Sequence, residues 1–192
     1  MQTLCVFCGA NKGSQPFYEK TTIELGKAVV ERGWDVVYGA GNVGLMGTLA
    51  NSVLAEGGKV TGVIPDFLKK MEVCHMGLSE LMVVETMHQR KQIMAEKSDA
   101  FFILPGGFGT LDEFFEILTW KQLRLHQKPI GLLNQHGYYD HLLQHVEKMV
   151  QEGFLHPENK SLLIHDTELN NLLDKLASYQ SEKVADKWLK KT

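Results

Sequence analysis

The chain has 192 residues, 44% hydrophobic and 22% charged, which suits one buried core without disulfide or metal staples and argues against a disordered chain. Twenty Lys+Arg against 23 Asp+Glu give a formal net charge of -3, which argues against general nucleic-acid affinity through counterion release. No apolar run reaches the roughly 18 residues of a membrane span, and the N-terminus starts on a strand-like segment in place of a signal peptide. A cytoplasmic protein with no membrane or nucleic-acid partner is expected.

Short β-branched runs alternate with helical stretches along the chain. TLCVFC (3–8) reads as a buried strand. A helical pattern follows from Pro16 to Arg32, with Phe17, Leu25, Ala28 and Val29 on one face and Gly33 as its stop. WDVVY (34–38) leads through GAGNVGLMG into a helix ending near Glu56-Gly57-Gly58. KVTGVIP (59–65) is a third strand, closed by Pro65, and residues 66–80 read as irregular. LMVVE (81–85), a helix over 87–97, AFFILP (100–105), a helix over 110–124 and KPIGLLN (128–134) continue the alternation. A helix near 138–151, a short strand near 161–164 and a helix near 167–178 complete it. Continuous apolar strands separated by helices predict an α/β fold: a Rossmann-like, doubly wound parallel sheet in a single domain over 1–180, with a Lys-rich tail over 181–192.

In such sheets ligands bind outside the carboxyl ends of the strands. The glycines gather there. Gly9 and Gly13 follow the first strand, Gly39, Gly41, Gly44 and Gly47 the second, and Gly106, Gly107 and Gly109 the fifth. GAGNVG (39–44) fits G-x-G-x-x-G, which makes Gly41 and Gly44 candidate phosphate contacts; a tight turn with close helix–sheet packing explains it equally. A dinucleotide site is poorly supplied, because the next strand ends without an acidic residue except Asp66, beyond a proline.

PGGFGTLDE (105–113) is more informative. Its glycines admit close backbone approach, and the helix opening at Thr110 offers free N–H groups to an anion. Glu113 has two readings. It completes a capping box with Thr110, or it serves a ligand, since Leu111, Phe114, Phe115 and Leu118 form one apolar stripe and Glu113, Glu116 and Trp120 lie opposite. Met87, Arg90, Lys91 and Met94 share one face of the preceding helix. The two cations either snorkel from buried stems or turn inward to meet an anion.

Cys5 and Cys8 have C-x-x-C spacing, but positions i and i+3 of a strand face opposite ways, so core packing is expected. Cys8, at the strand end, is placed to approach a site as a small apolar group. His141 and His145 lack a third ligand, so no metal is expected. Neither a P-loop nor a G-x-S-x-G nucleophile elbow occurs.

MHQRKQIM (87–94) followed by PGGFGTLDE (105–113) closely resembles the LOG (Lonely Guy) family of cytokinin riboside 5'-monophosphate phosphoribohydrolases. The resemblance runs from CVFCG through VYGAGNVGLMG and GVIP to EILTWKQL and KPIGLLN. It implies a Rossmann-like homodimer that cleaves the N-glycosidic bond of an adenosine-type nucleoside monophosphate, without cofactor or metal. It also implies Arg90 and Glu113 as the catalytic pair. Gly107, Phe108, Gly109, Thr110, Leu111 and Asp112, with Gly106, match the nucleotide loop, and Glu72, Lys91 and Thr119 match further substrate contacts. Such proteins have also carried the label lysine decarboxylase, but no pyridoxal phosphate lysine motif accompanies it here. The chain departs from the family pattern at Ala10, Ala40, Asn42 and Asp112. An NAD(P)-dependent oxidoreductase and a non-catalytic nucleotide carrier are the alternatives.

Overall fold

The computed structural model describes residues 2–71 and 74–180. The expected Lys-rich tail over 181–192 lies outside them. Seven strands form one sheet: β1 (Thr3–Phe7), β2 (Asp35–Tyr38), β3 (Val60–Pro65), β4 (Glu80–Val84), β5 (Ala100–Ile103), β6 (Ile130–Leu133) and β7 (Leu163–Asp166). Their order is β4-β3-β2-β1-β5-β6-β7, and every pairing is parallel. The predicted doubly wound α/β sheet is what forms.

The pleat of β1 shows why both faces are covered. Leu4, Val6 and Cys8 point into one core with Leu25 of α1 (Pro16–Glu31), Leu49 of α2 (Gly44–Ala55) and Leu172 of α8 (Leu169–Ala177). Cys5 and Phe7 point into the other, with Met94 of α4 (Met87–Lys97), Phe114 of α5 (Phe108–Gln122) and Tyr139 ahead of α6 (Asp140–Gln151). Cys5 and Cys8 are thus free thiols in separate cores, and burial raises both pKa values. β1 is central and pairs with β2 on one side and β5 on the other. The winding reverses between β1 and β5, which opens a crevice at their carboxyl ends.

Four local differences from the sequence expectation have physical causes. Residues 66–80 are not wholly irregular: α3 (Asp66–Met71) starts directly after Pro65, with Asp66 favourably placed in its first turn. Beyond it Cys74 bridges to Gly41, and His75 N–H donates to the Ala40 carbonyl at 3.0 Å. A one-turn helix, α7 (Pro157–Lys160), precedes β7, with Pro at its start.

The third concerns α5, which begins at Phe108, before the expected Thr110. Gly107 is its N-cap, extended at φ −94°, and the Gly107 carbonyl accepts the Leu111 N–H at 3.1 Å. Thr110 is therefore inside the helix, and the capping box with Glu113 does not form. A capping box does form one helix earlier: Thr86 Oγ1 accepts the Gln89 N–H at 3.1 Å, and Gln89 Oε1 accepts the Thr86 N–H at 3.3 Å. The fourth is the face α5 buries. Thr110, Glu113, Phe114, Ile117 and Lys121 are buried, while Leu111, Phe115 and Leu118 are only half-buried. Of the expected apolar stripe, Phe114 is fully buried and Leu111, Phe115 and Leu118 pack partly against the same core, while Glu113 is buried beside Arg90.

Candidate active site

The loops after β1 and β5 meet across the crevice. Gly9 N–H donates to the Pro105 carbonyl at 3.0 Å, and the Gly9 carbonyl accepts the Leu45 N–H at 3.0 Å. Between the loops lies a cavity of about 490 Å³, within the range of small-molecule sites. Arg90, Gly106, Gly107, Phe108, Gly109, Thr110, Asp112 and Glu113 line it.

Arg90 and Glu113 reach each other from different helices. Arg90 Nη1 lies 2.8 Å from Glu113 Oε1, and Arg90 Nε donates to the Val63 carbonyl at 3.1 Å. Each residue is only 8% exposed. Arg90 does not snorkel; its head is held inside. Room for it comes from Gly39, where a Cβ would stand 1.9 Å from Arg90 Nη2. Burial pushes the Glu113 carboxyl up, Arg90 opposes this, and the negative charge of Asp112 pushes it up again. The net position is above the usual carboxylate range.

Lys91 faces elsewhere. Its Nζ lies 3.0 Å from Asp112 Oδ2 and 2.7 Å from Glu116 Oε2, and Lys91 does not line the cavity. Burial lowers its pKa, but the hydrogen bonds it donates to Glu116 and Asp112 more than offset that and hold it above the usual value.

The glycine loop divides into two kinds of residue. A Cβ on Gly106 would meet Thr110 Oγ1 at 2.1 Å and Gly9 N at 2.9 Å, so packing demands this glycine. A Cβ on Gly107 or Gly109 would meet nothing within 4 Å, and neither residue has a left-handed backbone. The fold does not require glycine at these two positions. The space they leave lies at the N-terminus of α5, whose first-turn N–H groups have no intrahelical partner and no side-chain cap.

The other expected contacts fall away from the cavity. Gly41 and Gly44 do not line it. Packing demands glycine at Gly44, where a Cβ would meet the Ala10 carbonyl carbon at 2.2 Å, while one on Gly41 would meet only the flexible Met46 Cε at 2.5 Å. GAGNVG thus lies behind this cavity, and Gly44, with Asn42 and Val43, faces a separate hollow beside α1 and α2. Leu111 is half-buried and Thr119 exposed on α5, and neither lines the cavity. Glu72 lies outside the described residues. His141 and His145 are exposed on α6. Among the described residues no group of three His, Cys, Asp or Glu is placed to hold a metal, and no helix is long and apolar enough to cross a membrane.

Several lining residues escaped the sequence reading. Lys12, Tyr18, Met46, Leu68 and Tyr138 join the wall; Cys8 at the end of β1 lines it too, as its place at the strand end led one to expect. Tyr138 was findable: the adjacent tyrosines of QHGYY follow β6 at the same sheet edge as the glycine turns.

The family model described as "Possible lysine decarboxylase" matches residues 46–176. The chain is 45% identical over 186 residues to a cytokinin riboside 5'-monophosphate phosphoribohydrolase of Arabidopsis thaliana, covering 96% of this chain and 87% of that protein. A second Arabidopsis thaliana protein of the same name is 45% identical over 179 residues, covering 93% and 82%. Among solved structures, the molybdenum cofactor binding protein of Rippkaea orientalis superposes with a TM-score of 0.69 at 20% identity, covering 92% and 96% of the two chains. The molybdenum cofactor carrier protein of Chlamydomonas reinhardtii gives 0.69 at 17%, covering 93% and 99%. At such identities these two report the fold alone.

Proposed function

The chain belongs to the LOG (Lonely Guy) family, and on that footing we propose that it hydrolyses the N-glycosidic bond of adenosine-type nucleoside 5'-monophosphates, N6-substituted ones included. The products are the free base and ribose 5-phosphate. One observation carries this reading to the site: Gly107 and Gly109 leave open space at a helix N-terminus, beside a buried Arg90–Glu113 pair. The 5'-phosphate occupies that space, held by the loop N–H groups and the helix dipole.

Breaking the bond at C1' leaves its electron pair on the base and builds positive charge on the ribose ring, as in glycoside hydrolysis. The Glu113 carboxylate stabilises that charge and directs the water that adds to C1', whose proton passes to the departing base. Arg90 favours the ionised form of Glu113 and so opposes part of the effect of burial. The other contacts assigned by resemblance, Lys91 and Asp112, act through the charge they place beside this pair. The working protein is taken as a cytoplasmic homodimer of one domain. The half-buried Leu111, Phe115 and Leu118, near the 94% exposed Phe108, support a partner against α5.

The direct test is chromatographic: the full chain is incubated with AMP, N6-isopentenyl-AMP and other nucleoside monophosphates, and release of base is followed. Binding without release over hours would leave a carrier. Gly109→Ala sharpens the test. The added methyl meets no protein atom, and Ala in place of a helical Gly is expected to keep or raise stability by up to about 1 kcal/mol. The methyl nevertheless displaces a charged hydrogen bond to phosphate, so KM should rise about tenfold to a hundredfold. Thermal melting and steady-state kinetics on one sample check both signs.

The pH profile offers a second check. With ionised Glu113 required, kcat/KM falls as pH drops through its raised pKa, so the acid limb stands above the ordinary glutamate value. Asp112 contributes to that rise. Asp112→Asn should shift the limb to lower pH, the direction opposite to a simple loss of function.

A further inference from the structure

Three consecutive carbonyls of the loop after β5 are each held from outside. The Leu104 carbonyl accepts Tyr139 Oη–H at 2.8 Å, the Pro105 carbonyl accepts Gly9 N–H at 3.0 Å, and the Gly106 carbonyl accepts Tyr138 Oη–H at 2.7 Å. No peptide among the described residues is cis. In a trans peptide the C=O and the following N–H point opposite ways. Fixing the Gly106 carbonyl therefore fixes the direction of Gly107 N–H, which belongs to the glycine loop.

The segment that delivers Tyr138 is built for placement. His136 sits at φ 54°, a left-handed conformation uncommon for a side-chain-bearing residue. It is buttressed by Phe17, whose ring centroid lies 3.9 Å away, while the neighbouring Gln135 Oε1 accepts Thr21 Oγ1–H at 2.5 Å. Asn134 closes the turn, its Oδ1 accepting Tyr139 N–H at 2.7 Å and its Nδ2 donating to Asp140 Oδ1 at 2.7 Å. The Tyr138 ring meets those of Tyr18 and Tyr139 edge-on, with centroids 5.8 Å and 4.8 Å away.

We propose that Tyr138 is a positioning residue for recognition of the 5'-phosphate: its hydroxyl orients the peptide between Gly106 and Gly107 so that the Gly107 N–H is aimed before substrate arrives. This rests on the reading that the glycine loop holds phosphate. The phenol has one proton, and Gly106 takes it, so the hydroxyl does not itself donate to the anion. Pre-aimed donors bind without the cost of reorganising at the moment of binding.

The test is Tyr138→Phe in the full chain, which keeps the ring and its edge contacts. Base release is measured from AMP and from adenosine, which lacks the phosphate, with inhibition by ribose 5-phosphate followed in parallel. Pre-organisation worth up to one net hydrogen bond predicts a fall of about 2- to 12-fold in kcat/KM for AMP, carried by KM. The ribose 5-phosphate inhibition constant should rise by the same factor, while adenosine turnover holds and the melting temperature falls by no more than a few degrees. Equal loss on AMP and adenosine, or unchanged inhibition by ribose 5-phosphate, would overturn the assignment. Failure of the underlying reading looks different: the unmodified protein would then show no preference for AMP over adenosine and no inhibition by ribose 5-phosphate.

Discussion

Glu113→Gln is expected to lower kcat for base release by about 10³-fold while the protein stays folded. Gln is close in size and keeps an oxygen to accept from Arg90 Nη1, now 2.8 Å from the carboxylate, so the buried guanidinium is not left without a partner on α5. What disappears is the negative charge facing C1'. Substrate affinity should change little, because the phosphate is held by the loop at the start of α5, so the effect belongs in kcat. Circular dichroism, the melting temperature and a single-turnover assay separate the two. Intact turnover in the folded variant would reduce Glu113 to a structural partner of Arg90.

The second large effect is expected at a residue outside the cavity wall. Gly39→Ala places a methyl 1.9 Å from Arg90 Nη2, so the guanidinium, held by the Val63 carbonyl at 3.1 Å and by Glu113 at 2.8 Å, is pushed away from these partners. Gly39 is not in the left-handed region, so the consequence is purely steric. Arg90 must leave its seat, which strands Glu113 in a low-dielectric site; removing one member of a buried pair costs about 3–5 kcal/mol. Displacement of catalytic groups by even an ångström can cost about a hundredfold in rate. Activity should therefore fall by that factor or more, with a lowered melting temperature. If GAGNVG instead served as a ligand-contact loop, Gly39→Ala would raise KM and leave the melting temperature alone.

These two residues show what the sequence could and could not convey. The sheet was legible because a strand covered on both faces must be apolar where it is buried, and LCVF, VVY and AFFI are. The glycine loop and the inward turn of Arg90 were legible as local anomalies: glycines packed into one strand–helix junction, and a cation at an apolar position. The start of α5 was misplaced because Thr110 and Glu113 have capping-box spacing, yet an extended Gly107 already fills the N-cap position. The role of GAGNVG was open for a deeper reason. A glycine required by a ligand and one required by a neighbour such as Arg90 or Ala10 are identical in one dimension; only the contact distinguishes them. Tyr138 went unread because its partner is a backbone carbonyl 32 positions away, and a carbonyl has no letter. Ala40 is a further case. It adopts φ 62°, where the family pattern usually has glycine, and L-residues pay roughly 1–2 kcal/mol for that conformation.

The fold itself does not choose between enzyme and carrier. Proteins described as binding or carrying molybdenum cofactor share it at 20% identity or less, while the relatives at 45% carry a hydrolase name. The difference must reside in the groups at the β1/β5 crevice.

The position of that crevice also ties activity to the completion of folding. β1 pairs with β2 early in the chain, Thr3 against Asp35, but its other neighbour arrives far later, Leu4 against Ala100. Closing so long a loop carries an entropic cost, and contacts of high sequence separation form slowly. Gly9, Arg90 and Glu113 come together only across this seam, so a chain with just the β2–β4 side assembled has a sheet edge and no pocket. The β1–β5 pairing and the appearance of the site are one event, so a chain that has not made this central pairing is expected to be inactive.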